Sequence, residues 1–197
     1  MASPAARLTP EEYFALDAAS ERKTEYYDGV AVAMAGASPR HNHVAQNLAR
    51  LLGNQLAPRG CYLAIADQRV RLATTRAWVY PDLVVSCAPR FEAPRPQTLV
   101  NPELVVEILS SSTEAHDLTA KLAHYRATES ITEIVFVHLR ERLVEHHRRV
   151  DGTRWLVSLV RDGDVELPGI AAELTIADVY AGAEALPDEE DGERQPS

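Results

Sequence analysis

Two carboxylates in this chain sit where carboxylates are costly. Asp82 opens the aliphatic run Leu83-Val84-Val85. Glu107 lies inside Glu103-Leu104-Val105-Val106-Glu107-Ile108-Leu109-Ser110, flanked by Val106 and Ile108. An ionised carboxylate in a buried strand is strongly disfavoured unless a partner or a cation neutralises it. Two such placements, 25 positions apart, point to neighbouring strands that present their acids to one hard cation, Mg2+ or Mn2+.

Two more residues could join them. Alternation along Lys23-Thr24-Glu25-Tyr26-Tyr27 puts Glu25 and Tyr27 on one strand face and Thr24 and Tyr26 on the other. Glu25 fits either a site carboxylate or a surface strand residue paired with a neighbour. Lys121 belongs to a helix that leaves the Glu107 strand within a few residues, so it can reach back toward that strand's end. It shares a helical face with Asp117 and Tyr125 at four-residue spacing, and the plain alternative is an exposed ion pair on that face.

Together these residues form a chemical set. Phosphodiester hydrolysis needs a hard cation held by oxygens, an activated water, and positive charge near the developing phosphorane. Asp82, Glu107 and the carbonyl of Ile108 would hold the metal. Lys121 would orient the attacking water or stabilise transition-state charge, and Glu25 would bind a second cation or position the water.

The surrounding elements are legible from periodicity and punctuation. Thr9-Pro10-Glu11-Glu12 is a capping-box helix start, and Asp28-Gly29 between two strand-like runs is a hairpin turn. Ser38-Pro39 opens a second helix with Val44, Leu48, Leu51, Leu52 and Leu56 on its apolar stripe, ending near Pro58 and Gly60. Its first turn holds His41-Asn42-His43. Two histidines two positions apart lie on different helical faces and chelate poorly, so these letters do not make an HNH nuclease site. A role for one of them at an anion-attracting helix terminus competes with capping or exposure.

Strands are expected at 62–66, 68–72 and 78–80, then a loop at 88–102 carrying Pro89, Pro94 and Pro96. The Glu107 strand follows, then a helix running to about Glu129 with Leu118, Leu122 and Tyr125 inward. Strands at 134–137, 143–146 and 155–159 and a closing helix at 174–180 capped by Thr175 complete the series.

The bulk properties narrow the class. A chain of 197 residues fits one domain, 1–183, followed by an acidic tail, 184–197, expected to be disordered. That tail carries six acids against one arginine, a net −5 of the chain's −9, so the body is only mildly acidic. The charge argues against a broadly basic nucleic-acid surface but leaves room for a metal-dependent enzyme. Cys61 and Cys87 lack metal-ligand spacing and read as two thiols in a reducing cytoplasm. No apolar run approaches the length that spans a bilayer.

The ordered motifs Glu25…Asp28-Gly29, Ser38-Pro39-x-His41, Pro81-Asp82, Glu103 to Ser110 and Asp117-x3-Lys121-x3-Tyr125 resemble those of the Uma2 family. Its members are endonuclease-like bacterial proteins of the PD-(D/E)XK superfamily, and the resemblance spans roughly residues 8 to 182. It implies an α/β (α+β) restriction endonuclease-like fold: a mixed central sheet flanked by helices. It also implies a Mg2+-dependent endonuclease acting on DNA, with Glu25, Asp82, Glu107 and Lys121 as the site, and a homodimer. The superfamily's usual Glu-x-Lys would place lysine at Leu109, which cannot serve, and the resemblance assigns that role to Lys121. Where relatives often carry a tryptophan, this chain has Glu133-Ile134-Val135-Phe136-Val137.

Two other readings stand beside this one. The same fold could serve as a catalytically weak or inactive nucleic-acid-binding or scaffold module. Paired carboxylates could also hydrolyse another substrate, as in glycosidases, but that leaves Lys121 without a role.

Overall fold

The structure is a computed structural model that describes residues 7–34, 36–93, 97–110 and 121–188. The first helix, α1 (Pro10–Ala19), begins with the expected capping box. The Thr9 hydroxyl accepts from the Glu12 amide at 3.2 Å, and the Glu12 carboxylate accepts from the Thr9 amide at 2.8 Å. Strands β1 (Thr24–Tyr27) and β2 (Val30–Ala33) form a hairpin. Its two turn residues, Asp28 and Gly29, both take positive φ (42° and 99°), the conformation for which Asp-Gly is suited.

Helix α2 (Pro39–Leu56) follows, and then the remaining strands. β4 (Val70–Leu72), β5 (Ala77–Val79), β7 (Phe91–Glu92) and β8 (Thr98–Leu99) join the hairpin in a sheet ordered β2-β1-β5-β4-β8-β7. A second sheet is built from β3 (Tyr62–Ile65), β6 (Leu83–Ser86), β9 (Leu104–Leu109), β10 (Glu133–His138), β11 (Leu143–Arg149) and β12 (Trp155–Val160). Its order is β12-β11-β10-β9-β6-β3. Within it, β9 and β10 run parallel while the other pairs are antiparallel. A parallel pair needs a long crossover, and α3 (Leu122–Ala127) lies on it. The hairpin of β13 (Asp164–Leu167) and β14 (Ala172–Thr175) leads into the short α4 (Ile176–Val179).

The second sheet is covered on both faces. Leu83, Leu104, Val106, Val135 and Val137 pack with Val44, Leu48, Leu52 and Leu56 of α2. On the opposite face, Val84, Val105, Leu109, Ile134 and Phe136 pack with Val70, Leu72 and Val79 of the first sheet and Tyr125 of α3. Double coverage explains why β9 reads as a nearly unbroken aliphatic run rather than an alternating one. On the far side of the first sheet, Tyr13 of α1 packs with Tyr26 and Trp78.

The mixed α+β fold is the expected one, and the differences are local. Among the described residues the strands divide into two six-stranded sheets and a small hairpin, not one central sheet. Two-residue strands β7 and β8 lie within the stretch expected to be loop, and they are too short for any periodicity to announce. The closing helix begins at Ile176, with Thr175 as its first flanking residue. The Thr175 hydroxyl makes no cap bond and donates to Asp164 at 2.7 Å instead. Asp117 and Leu118 of the expected crossover helix lie outside the described residues.

Cys61 and Cys87 correct the sequence expectation: they form a disulfide, with S–S 2.07 Å. The Tyr62–Ser86 pairing of β3 with β6 places the two preceding and following cysteines side by side. Spacing along the chain could not reveal this, because it depends on strand register.

The segment expected as a tail begins in contact with the fold. Glu184 pairs with Arg142 at 2.5 Å. The Ser38 hydroxyl donates to Asp188 at 3.0 Å, and the Arg40 amide donates to the Pro187 carbonyl at 3.2 Å, at the start of α2. Residues 189–197 lie outside the described residues.

Candidate active site

Register brings the two strand acids together. β6 and β9 pair antiparallel with Leu83 opposite Val106, so the next step along the same register sets Asp82 opposite Glu107. The backbone ladder ends at Leu83, and the Asp82 carboxylate takes over, accepting the Ile108 N–H at 2.7 Å through Oδ2. A buried strand N–H needs an acceptor, and here a side chain supplies it. That bond fixes Asp82 against the strand that carries Glu107.

Glu107 projects between the two sheets, where it meets residues from two other elements. Lys121, at the start of α3, places Nζ 3.1 Å from Glu107 Oε1 and 3.1 Å from Glu25 Oε1. Lys121, Glu25 and Glu107 are 5%, 3% and 2% exposed, respectively. The lysine is therefore a buried cation bridging an acid of the first sheet and an acid of the second. One ammonium between two carboxylates leaves a net negative charge in a low-dielectric setting, where an uncompensated charge is costly.

Each glutamate is also held by neutral donors. Glu25 Oε2 accepts from the Tyr27 hydroxyl at 2.7 Å, and Oε1 from the Tyr80 amide at 3.0 Å. The Tyr125 hydroxyl, one helical turn beyond Lys121, donates to Glu107 Oε1. Burial is the largest cause raising the Tyr27 and Tyr125 phenols well above the ordinary range, followed by the neighbouring carboxylates. Both phenols thus stay protonated as donors, which is what holds carboxylates in fixed rotamers.

These residues line a cavity of about 830 Å³, whose wall includes Glu25, Asp82, Glu107, Ile108, Lys121 and His41. His41 reaches it from the first turn of α2, where the Ser38 hydroxyl accepts its amide at 3.1 Å. Its Nε2 lies 3.2 Å from Asp82 Oδ1. His43 turns elsewhere, with Nε2 2.9 Å from the Ala181 carbonyl.

All four residues expected to act, Glu25, Asp82, Glu107 and Lys121, therefore meet at one cavity, with Ile108 beside them. Glu25 is a buried partner of Lys121, not a surface strand residue. Sequence reasoning left out Tyr27 and the Tyr80 amide. A tyrosine two positions after Glu25 on the same strand face was the available signal for the first. The second is a backbone group that no side-chain pattern announces. Among the described residues, no three His, Cys, Asp or Glu side chains converge closely enough to form a metal centre as they stand. Lys121 instead occupies the position between Glu25 and Glu107, while the Ile108 amide and His41 engage Asp82.

The donor types nevertheless suit a hard divalent ion: two carboxylates on adjacent strands and a strand carbonyl at the wall of one cavity. Among the described residues, no helix is long and apolar enough to cross a membrane.

Comparison with known proteins agrees with this architecture. A family model described as "Uma2: Putative restriction endonuclease" matches residues 10–177. The "Uncharacterized protein slr1290" of Synechocystis is 30% identical over 181 residues, covering 91% of this chain and 95% of that protein. The "Uncharacterized protein sll1609" of the same organism is 29% identical over 161 residues, covering 81% and 91%. A crystal structure of a "putative nuclease belonging to DUF820" from Anabaena variabilis superposes with a TM-score of 0.72 at 18% identity. It covers 89% of this chain and 99% of that one, a likeness of fold. The match to the family model over nearly the whole described fold places this chain in the Uma2 family.

Proposed function

We propose that this protein is a metal-dependent endonuclease that hydrolyses phosphodiester bonds in DNA. The observation that carries the reading is the buried Lys121 bridge between Glu25 and Glu107, at a cavity that Asp82 also lines. Structural ion pairs sit in many cores. A lysine joining two acids at the floor of a solvent-open cavity is the arrangement expected of a site built for anionic transition states.

Asp82, Glu107 and the Ile108 carbonyl would hold Mg2+ or Mn2+, which supplies Lewis acidity at the scissile phosphate and an activated water. The chain's own residues do the rest. Lys121 presents positive charge where the phosphorane develops and orients the attacking water. Glu25 acts as a positioning residue: with Tyr27 and the Tyr80 amide behind it, it keeps the Lys121 ammonium aimed into the cavity. Tyr125 fixes the Glu107 carboxylate. Arg22 and Lys23 stand on the cavity wall beside Glu21, with Lys23 paired to Asp67, so the approach offers incoming phosphates cations among acids.

A second reading has one observation in its favour. Asp82 already engages the Ile108 amide and His41, and Lys121 is held by two carboxylates, so the same residues could simply lock the fold of a binding module. Plasmid and single-stranded DNA incubated with the protein in Mg2+ or Mn2+ separate the two. Cleavage abolished by Asp82→Asn and Glu107→Gln supports the nuclease. DNA binding without cleavage, at any metal concentration, supports the module.

We also propose the homodimer that the resemblance implies. The edge strand β12 supports it: Leu156, Val157 and Leu159 are exposed there, beside a ladder edge that no strand among the described residues pairs with and that an identical strand could extend. Sedimentation of the wild type against Leu159→Glu tests it; a dimer that persists in the variant places the interface elsewhere.

A further inference from the structure

We propose that the cavity takes one unpaired nucleotide of the DNA substrate, its base against an apolar rim and its base edge read by Asn42 and Gln46 of α2. The substrate class is then single-stranded or locally opened DNA, in preference to intact duplex. The inference rests on the nuclease reading above and deepens it by naming the form of DNA and the residues that select it.

The cavity has two chemically different sides. One is the charged side already described. The other is apolar, and strand register sets it beside the acids. Val32 stands directly opposite Glu25 across the β1–β2 pair, and cross-strand partners share a sheet face. Ile65 ends β3 next to Ala66, whose amide donates to the Asp82 carbonyl at 2.9 Å. Val32 and Met34 are half-buried and Ile65 is 45% exposed, and all three line the cavity. A site for phosphate alone gains nothing from such a rim. A nucleotide carries an anionic phosphate and a base with apolar faces, so it matches both sides.

Helix α2 supplies polar contacts. Asn42 and Gln46 are four positions apart and share one helical face. Both are exposed, and both line the cavity. Among the described residues neither side-chain amide has a hydrogen-bond partner. Each presents a donor and an acceptor side by side, the combination that matches a base edge, as in the pairing of Asn or Gln with adenine.

Size and charge point the same way. The cavity volume of about 830 Å³ lies within the range of about 300–1,000 Å³ that holds small-molecule guests, which is the scale of one nucleotide. Duplex affinity, by contrast, comes chiefly from lysines and arginines that neutralise phosphates. This chain has a formal charge of −9, and Arg71, Arg142, Arg154 and Arg161 each face a carboxylate. A single strand can draw instead on contact with its base faces.

The test is fluorescence anisotropy of the full chain with labelled oligo(dA), alone and annealed to oligo(dT), in Ca2+ and again in a chelator. The single strand should bind at least about tenfold more tightly than the duplex, and an abasic strand of equal length should bind as weakly as the duplex. The double variant Asn42→Ala/Gln46→Ala should weaken single-strand binding about tenfold and duplex binding less than about twofold. Ile65→Ser, at an exposed position, should weaken the single strand about threefold or more. Circular dichroism melts confirm that each variant folds, and the two variants alter separate elements. Duplex bound as tightly as single strand overturns the proposal. So does single-strand binding that is absent in both buffers, or that neither variant changes. None of these results touches the nuclease reading, which is judged by cleavage in Mg2+ or Mn2+. The predicted binding pattern without cleavage would overturn that reading and leave the nucleotide pocket standing.

Discussion

Lys121 and Glu107 are 14 positions apart in the chain, yet Nζ of one lies 3.1 Å from Oε1 of the other, buried between two sheets. The parallel β9–β10 pairing explains the encounter. It requires a crossover, and the crossover starts at the strand end where Glu107 stands and carries Lys121 back over it. The position two residues after the glutamate, where the resemblance led one to look for the lysine, is Leu109, packed in the inter-sheet core. The ammonium arrives from the following helix instead.

Removing that cation should damage the fold as well as any chemistry. Lys121→Met leaves Glu25 and Glu107 facing each other in a buried site, and breaking a buried ion pair by deleting one partner costs about 3–5 kcal/mol. Urea denaturation of Lys121→Met should show a loss of that order, and adding Glu25→Gln should restore part of it, with a coupling energy of about 0.5–3 kcal/mol. Additive effects would mean that the two side chains do not interact in solution.

Much of the convergence at this candidate site was legible in the sequence, and the reasons are specific. Asp82 and Glu107 were found because a charge within an aliphatic run conflicts with burial, and conflicts of that kind mark functional or strained positions. Strand alternation put Glu25 and Tyr27 on one face, and their hydrogen bond shows that they share it. Burial of Glu25 was undecidable, because a four-residue strand carries no information about which sheet covers it. The placement of His41 beside Asp82 was equally closed to periodicity, since the direction of a helix's first turn depends on where the whole helix docks. The Cys61–Cys87 bridge depends on the register of β3 against β6, which spacing along the chain does not encode.

The disulfide gives a second prediction. It closes a loop across 26 positions, and a bridge of that span stabilises a folded chain by about 2–4 kcal/mol, chiefly through the unfolded state. Cys61→Ser, or reduction of the wild type, should lower the urea midpoint accordingly. An unchanged midpoint after reduction would show that the thiols are not bridged in solution.

Tyr125 should act on metal affinity through Glu107. Tyr125→Phe removes one donor to a buried carboxylate that also binds Lys121, a change worth about 1.5–3 kcal/mol for a bond to a charged group. Divalent-metal affinity should fall by about 10–100-fold, as for other groups that orient a ligand. Calorimetric titration of the variant reads this directly; wild-type affinity would show that Lys121 alone positions Glu107.

The tyrosines predict behaviour at high pH. Burial, as the largest cause, raises Tyr13, Tyr27, Tyr62, Tyr125 and Tyr180 above the ordinary range, and Tyr80 to about 12. In the unfolded chain each ionises near 10. Because the folded values are the higher ones, their contribution to stability is complete below about pH 10 and declines as pH rises beyond it. Phenolate absorbance should therefore lag behind that of the denatured chain above pH 10 and then appear together with loss of the fold. Ionisation of most tyrosines near pH 10 with circular dichroism unchanged would contradict the packing described for them.

The most direct test of the central claim is DNA cleavage with Mg2+ or Mn2+, for wild type, Asp82→Asn, Glu107→Gln and Lys121→Met, each with and without a chelator. The account predicts wild-type cleavage that the chelator stops and that falls by at least about 10²-fold in each variant. Cleavage that persists in the chelator, or in both Asp82→Asn and Glu107→Gln, would contradict it.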